Sequence, residues 1–411
     1  MKKYDEYKDS GVAWIGEVPK HWEVIKLKYK YHFQTGATPN TGKKENFEGD
    51  LRWANISDLN GSVVYDTTKH INKEAASKCS MNISPKGSLM YSFKLSVGTV
   101  AFCGEDMYTN EAIASFIPQK NDLKYLFYCA PIFIIHNANR NIYNAPLLNQ
   151  ELIKNALICL PSLNEQTAIA TYLDTHCAKI DNLISIQQKR IALLQELKQS
   201  VITHAVTKGL NPNVEMKQSG VEWIGDVPKH WELVRTRYLC NLCTGSKDTI
   251  NRVDDGKYPF YVRSPKVERI DTYSFDGEAI LMAGDGVGAG KVFHYAVGKF
   301  DYHQRVYNFH NFKHVLGKFF YNYISNNFKY IIEEGGAKNT VDSVRLYMIQ
   351  NFMTTVPPLE EQMEICNYIE QKEKVFDTSI SNAQHQIELL QEYKQSLITE
   401  VVTGKRKVTD N

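Results

Sequence analysis

A chain that carries one frame twice must fold so that both copies are satisfied. Here the segment Lys8 to Tyr29, KDSGVAWIGEVPKHWEVIKLKY, recurs as Lys217 to Tyr238, KQSGVEWIGDVPKHWELVRTRY, with 14 of 22 positions identical at an offset of 209. LPSLNEQ (Leu160 to Gln166) then matches VPPLEEQ (Val356 to Gln362), and LLQELKQSVITHAVT (Leu193 to Thr207) matches LLQEYKQSLITEVVT (Leu389 to Thr403), both at an offset of 196. The offset falls by 13, so the first intervening stretch is 13 residues longer than the second, and the two stretches share little sequence. A duplicated frame holds two different inserts.

Each copy closes with a helical segment that starts after prolines, Pro161 in one and Pro357 and Pro358 in the other, which block helix upstream. Leu173, Cys177, Ile180, Ile184, Ile191, Leu194 and Val201 recur at spacings of three and four, interrupted by Gln187. Ile369, Phe376, Ile380, Ala383, Ile387, Leu390 and Leu397 repeat the pattern with Glu373 among them. So narrow a stripe predicts a coiled-coil seam, on helices of roughly 40 residues and about 60 Å. Two amphipathic helices packed separately on their own domains are the alternative. Antiparallel pairing is favoured because it relates the halves by an approximate two-fold axis, with Gln187 and Glu373 helping to fix register. Thr207 to Gly220, rich in Gly, Pro and Asn, predicts a loop, and the C-terminal VTGKRKVTDN looks like the start of the same linker.

The inserts mix β-like runs with helix. LRWANISDL, SLMYSFKL and VGTVAFC in the first, and YPFYVRS, EAILMAG and GKVFHYAV in the second, predict strands. Helix is expected at Leu123 to Ile135 and at Val315 to Ile332. At 411 residues the chain exceeds one ordinary core. The longest apolar runs are too short to span a bilayer and the N-terminus lacks a signal-peptide pattern, so a cytoplasmic protein without membrane contact is expected. The eight scattered cysteines suggest buried thiols rather than a disulfide framework, and the single CxxC, Cys240 to Cys243, has no partner pair for a metal. A net charge of +2 points neither to nucleic acid nor away from it.

No catalytic constellation emerges. GDGVGAGK (Gly284 to Lys291) fails as a phosphate loop, because Asp285 holds the first Gly position and Val292 the Ser/Thr position. As a dinucleotide motif it has Ala289 at the third glycine and no helix to follow, which leaves a glycine-rich turn between strands. The nearest approach to an amino-methyltransferase motif, NAPL from Asn144, lacks the second proline and the aromatic residue. No catalytic residue and no metal site are therefore assigned.

The openings SGVAWIGEVPKHWE and SGVEWIGDVPKHWE, the segments PSLNEQ and PPLEEQ, and the helix bodies LLQELKQSVIT and LLQEYKQSLIT together resemble the specificity subunits of type I restriction-modification enzymes. TGATPN, RWANISDL, ILMAGDGVGAGKVF and FDYHQRVYNF within the inserts resemble family patterns too. The resemblance covers the whole chain. It implies a mixed α/β, α+β architecture of two target-recognition domains separated by two long conserved helices in an antiparallel coiled coil, a pseudo-two-fold internal repeat. The expected boundaries are 1–157 and 209–355 for the recognition domains, 158–208 for the first helical spacer, and 356–411 for the second with its tail. It further implies double-stranded DNA with a bipartite site, one half-site per domain, as ligand. Two modification subunits would methylate adenine N6 with S-adenosylmethionine, and restriction subunits would use ATP and Mg. This chain would bind no cofactor and catalyse nothing.

Arg pairs with guanine and Asn or Gln with adenine in the major groove, while Lys more often meets phosphates. On that ground the DNA-binding candidates are Lys43, Lys44, Arg52, Asn55, Lys94, Asn139, Arg140, Asn141 and Asn144 in the first insert. In the second they are Lys247, Arg263, Lys266, Gln304, Arg305, Lys338 and Asn339. Trp14, Trp22, Trp223 and Trp231 repeat with the frame although the inserts differ, which predicts packing or docking rather than base stacking. The competing expectations are a two-module protein-interaction scaffold and a self-sufficient DNA methyltransferase or nuclease. Salt-dependent, sequence-selective binding argues against the first, and methyl transfer by the chain alone would establish the second.

Overall fold

A computed structural model describes residues 3–119, 122–334 and 343–408. The chain divides into two compact units: residues 1–186 with 387–411, and residues 187–386. This division cuts both long helices, because each half-helix packs its apolar stripe into a different core.

In the first unit the frame forms a hairpin of Tyr7–Asp9 with Glu17–Pro19. Strand Glu23–Lys26 then pairs antiparallel with Leu157–Leu160, Lys26 opposite Leu157. The chain therefore enters and leaves the insert on adjacent strands, and the insert hangs from a two-stranded clasp. Between them run a five-stranded sheet in the order 33–35, 113–116, 89–92, 100–103, 63–64 and a three-stranded sheet in the order 108–109, 51–54, 69–71. Helix α1 (Leu123–His136) starts where Asp122 caps the N–H groups of Lys124 and Tyr125. Its sequence is apolar on most sides, and it is correspondingly buried.

The second unit repeats these devices. Met216–Gln218 pairs with Asp226–Pro228, and Glu232–Arg235 pairs with Met353–Val356 as a second clasp. The insert holds a six-stranded sheet in the order 241–244, 306–310, 275–283, 293–302, 258–261, 268–270. GDGVGAGK forms the turn region between strands 275–283 and 293–302. Phe319, Phe320, Tyr323, Ile324 and Phe328 bury one face of the insert helix (Gly317–Glu334) together with Ile280, Met282 and Phe309 of the sheet.

The long helices α2 (Leu163–Lys208) and α3 (Leu359–Val402) begin directly after the prolines. Helix α2 runs to the edge of the predicted linker, whose last residues form the short strand from Met216. Every named seam residue, from Leu173, Ile180, Ile184, Ile191, Leu194 and Val201 to Ile369, Phe376, Ile380, Ile387, Leu390 and Leu397, is buried or half-buried. Within the first unit Asp181 meets Lys394 at 2.7 Å, and the ring of Tyr172 lies under the guanidinium of Arg406, so numbers rise along α2 as they fall beyond it. Within the second unit Lys198 bridges Asp377 at 2.9 Å and Glu373 at 3.5 Å.

Four of the frame's features show why its sequence repeats. Trp22 and Trp231 are fully buried, and truncating either would cost about 3–5 kcal/mol. Trp223 stacks on Phe352 and Tyr330, and Trp14, though more exposed, stacks on His136. Gln166 donates to Pro161 O at 2.8 Å and accepts from Asp122 N–H, the cap of α1. Gln362 donates to Pro357 O and His314 O and accepts from Leu316 N–H at 2.7 Å, just before the insert helix. One glutamine in each copy thus ties an insert helix to the start of a long helix. At the far end, Gly404 lies against Pro19 and Trp22 in the first unit. Gly209 lies against Trp231 in the second.

Candidate nucleic-acid interface

The inserts differ in sequence, yet their sheets share a register that lets their corners be compared residue by residue. Ala114 stands opposite Thr35 and Ile113 opposite Ser92 in the first. Tyr307 stands opposite Thr244 and Val306 opposite Ala283 in the second. The next residue after each Thr is a glycine pressed on backbone. A Cβ on Gly36 would lie 1.6 Å from Thr109 O, and one on Gly245 would lie 2.1 Å from Tyr302 O. Phe93 N–H donates to Ala112 O, and Gly284 N–H donates to Arg305 O. Lys94 therefore corresponds to Asp285, Glu111 to Gln304, and Ala112 to Arg305.

In the second unit this corner gathers several residues singled out from sequence. Arg263 Nη1 donates to Asp285 Oδ1 at 2.9 Å, and Arg305 Nε lies 3.6 Å from Asp285 Oδ2. Gln304 donates to Asp248 Oδ2 at 2.8 Å through its side chain and to Lys247 O through its backbone. His303, buried beneath them, accepts the Arg305 N–H on Nδ1 at 2.9 Å. Burial holds the His303 imidazole below its ordinary pKa, with Arg263 and Arg305 adding to the effect and Asp248 and Asp285 opposing it. The neutral ring can then accept that hydrogen bond. Lys266 is exposed, 3.8 Å from Glu268. Lys338 and Asn339 lie outside the described residues.

In the first unit the candidates form separate groups. Lys94 stands on an exposed loop near Glu111, which accepts from Thr38. Burial opposes ionisation of Glu111, but the Thr38 bond, its own backbone N–H and Lys94 together hold its carboxyl below the ordinary value. Lys43 and Lys44 are exposed, and Lys44 lines a hollow with Thr68, Lys69 and His70. His70 meets Asp66 at 2.9 Å, and Arg52 reaches the same carboxylate at 3.5 Å. Asn55 spends its side-chain carbonyl on a cap, accepting from Ser57 N–H at 2.8 Å. Asn139, Arg140, Asn141 and Asn144 come together on a hairpin formed by 139–140 and 146–147. Arg140 donates to Asn144 O, and Asn141 accepts from Tyr143 and Ala145 N–H. Its tip exposes Ile142 and Tyr143, 91% and 84%.

Sequence reasoning missed Asp248, Asp285, His303, Thr38 and Glu111. Asp285 was visible only as the residue spoiling a phosphate motif. The Thr-Gly dipeptides Thr35-Gly36 and Thr244-Gly245 recur at the frame's offset of 209, but the corner lies at different distances beyond them and is matched only through strand register. The exposed apolar tips, Ile142 and Tyr143 here with Ile250 and Val287 in the second insert, sit on the same kind of loop as the basic candidates. The CxxC pair splits, Cys240 buried and Cys243 facing Tyr302 and His310. Among the described residues, no helix is long and apolar enough to cross a membrane.

Comparison with known proteins gives a consistent result. The model of the type I restriction modification DNA specificity domain matches residues 19–196 and again 228–389, once per copy of the frame. The chain is 27% identical to the type I restriction enzyme MjaIX specificity subunit of Methanocaldococcus jannaschii, over 60% of this chain and 58% of that one. It is 24% identical to the putative MjaX specificity subunit of the same organism, over 96% of each. The match to the Escherichia coli EcoDI specificity subunit, 26% identical, covers 44% of this chain and 40% of that one. Its fold is similar to a chain solved in work on complex assembly and conformational transition of the type I R-M system, with a TM-score of 0.71 at 14% identity over 94% of this chain and 98% of the other. The HsdS subunit from Thermoanaerobacter tengcongensis gives a TM-score of 0.50 at 14% identity, over 95% and 98%.

Proposed function

This chain belongs to the type I restriction-modification DNA specificity family, and from that premise we propose that it is the non-catalytic sequence reader of such an enzyme. Each insert takes one half of a bipartite site in double-stranded DNA. The two copies of the frame dock two modification subunits, which supply adenine N6 methylation with S-adenosylmethionine, and restriction subunits supply ATP- and Mg-dependent cleavage. The long helices pair as an antiparallel coiled coil that relates the two copies by a pseudo-two-fold. The antiparallel numbering of contacts within the first unit supports this, as do the seam residues buried along both helices.

The observation that carries the proposal is the contrast between frame and insert. Both inserts hang from matching clasps and are tied by matching glutamines, yet at the same register they present different side chains. A scaffold for one repeated protein partner has no use for that difference, whereas a reader of two unlike half-sites requires it. The test is to exchange Tyr31 to Cys159 for the insert of a relative, co-express the chain with its modification subunits and map N6-methyladenine. One half of the methylated motif should change and the other should stay. A change in both halves, or methyl transfer by the chain alone, would refute the proposal.

A further inference from the structure

The corners that share a register in the two inserts carry different charges. In the first, Lys94 occupies the position of Asp285, Ala112 that of Arg305, and Glu111 that of Gln304. In the second, two guanidinium groups converge on one carboxylate, leaving the trio with a net positive charge, and their side chains are 43% and 66% exposed. Both atoms of the Arg305 main chain that can bond are engaged, N–H with His303 and C=O with Gly284 N–H. A long side chain is thus launched from a fixed backbone and steadied by a carboxylate.

We propose that the Asp285 corner is where the second insert reads a G·C pair, with Arg263 and Arg305 donating to guanine O6 and N7 in the major groove. This rests on the reading of the chain as a half-site binder. A phosphate could also attract arginine, but Asp285, 2.9 Å from Arg263, offsets part of the pull of the two guanidinium groups on a full negative charge, and it opposes their hydrogen bonds to an uncharged base edge much less. A planar fork held in place suits the paired acceptors of guanine, and lysine, a point charge on a flexible stem, matches them less well. The first insert has no arginine at this corner, and its acceptor Glu111 suits the amino group of cytosine or adenine instead. The two half-sites therefore differ at this point.

The experiment uses the chain co-expressed with its modification subunits. Methylome sequencing compares the wild type with R263K/R305K, which keeps both positive charges beside Asp285. Selectivity should fall about 10- to 100-fold at one G·C position in one half of the motif, with the other half unchanged. Binding of the wild-type complex to duplexes with 7-deazaguanine at each guanine of that half gives a second measurement that needs no variant. One position should weaken binding, and the variant should be insensitive there. An unaltered motif, a uniform loss across all sequences, or a half-site without a 7-deazaguanine-sensitive position would overturn the proposal. A wild-type complex that methylates no defined motif would instead overturn the parent reading, and this inference with it.

Discussion

Replacing Gln362 by leucine tests the tie between insert and frame directly. The side chain is fully buried and makes three hydrogen bonds, to Pro357 O at 2.8 Å, to His314 O at 3.1 Å and from Leu316 N–H at 2.7 Å. Leucine fills much the same space, so the loss is one of partners and not of volume. An orphaned buried donor or acceptor costs about 1–3 kcal/mol, carbonyls less than amides, which gives roughly 3–5 kcal/mol for Q362L. For a unit of 200 residues that is a fall of roughly 6–20 °C in its melting temperature. Gln166 supplies the control, because it makes one good bond at 2.8 Å and one long one at 3.4 Å. Q166L should cost only about 1–2 kcal/mol. Thermal unfolding gives the total, and hydrogen exchange followed by mass spectrometry gives the place: the Leu316 amide and the first turn of the second insert helix should lose protection first. A shift below about 3 °C for Q362L, or equal costs for the two variants, would refute this account of the tie.

Three further outcomes are expected. Gly36→Ala and Gly245→Ala each force a strand end away from a carbonyl that a Cβ would overlap, costing about 1–3 kcal/mol by chemical denaturation. Each should impair only its own half of the methylated motif; silence in both would contradict the close approach. His303 is held neutral in the fold, so its contribution to stability is present above its unfolded pKa of about 6.5 and lost as pH falls from there toward the lower folded value. Corrected for the intrinsic rate, which itself falls with pH, the protection of the Arg305 amide should drop as pH falls from about 6.5 through the lower folded value, and a pH-independent protection would count against the His303 bond. Lys198→Ala breaks a half-exposed bridge to Glu373 and Asp377 and should cost less than about 1 kcal/mol, shrinking further in salt; a larger, salt-insensitive loss would mean that the pair is buried more deeply than its exposure indicates.

The frame was legible because its signals are local. Prolines mark where the long helices begin, spacings of three and four mark the seam, and repetition exposes the opening motif. The runs YPFYVRS and EAILMAG became strands 258–261 and 275–283 because β-branched and aromatic residues say so without tertiary help. Insert chemistry was harder to see. Arg263 and Arg305 meet only because strand 258–261 pairs in parallel with 293–302, a long-range pairing that leaves no periodic trace. Asn55 has the composition of a base reader, but its carbonyl is engaged in a capping bond, a role that residue type alone does not distinguish. The role of Gln166 and Gln362 was hidden for a similar reason: their partners are main-chain atoms, some in the frame and some in the inserts, which the sequence does not name.

The division of the chain between its units has a bearing on synthesis. The second unit occupies one uninterrupted stretch, 187–386, and all of it can leave the ribosome while the first still lacks residues 387–411. Those late residues supply Leu397, Val401 and Val402 to the first core and carry Gly404 to its seat on Pro19 and Trp22. The unit that can be completed first is therefore the second, the reverse of the usual N-terminal-first order. The half of the molecule that is translated first is the last to close, and Trp22 must wait for nearly the whole chain before its surroundings are complete.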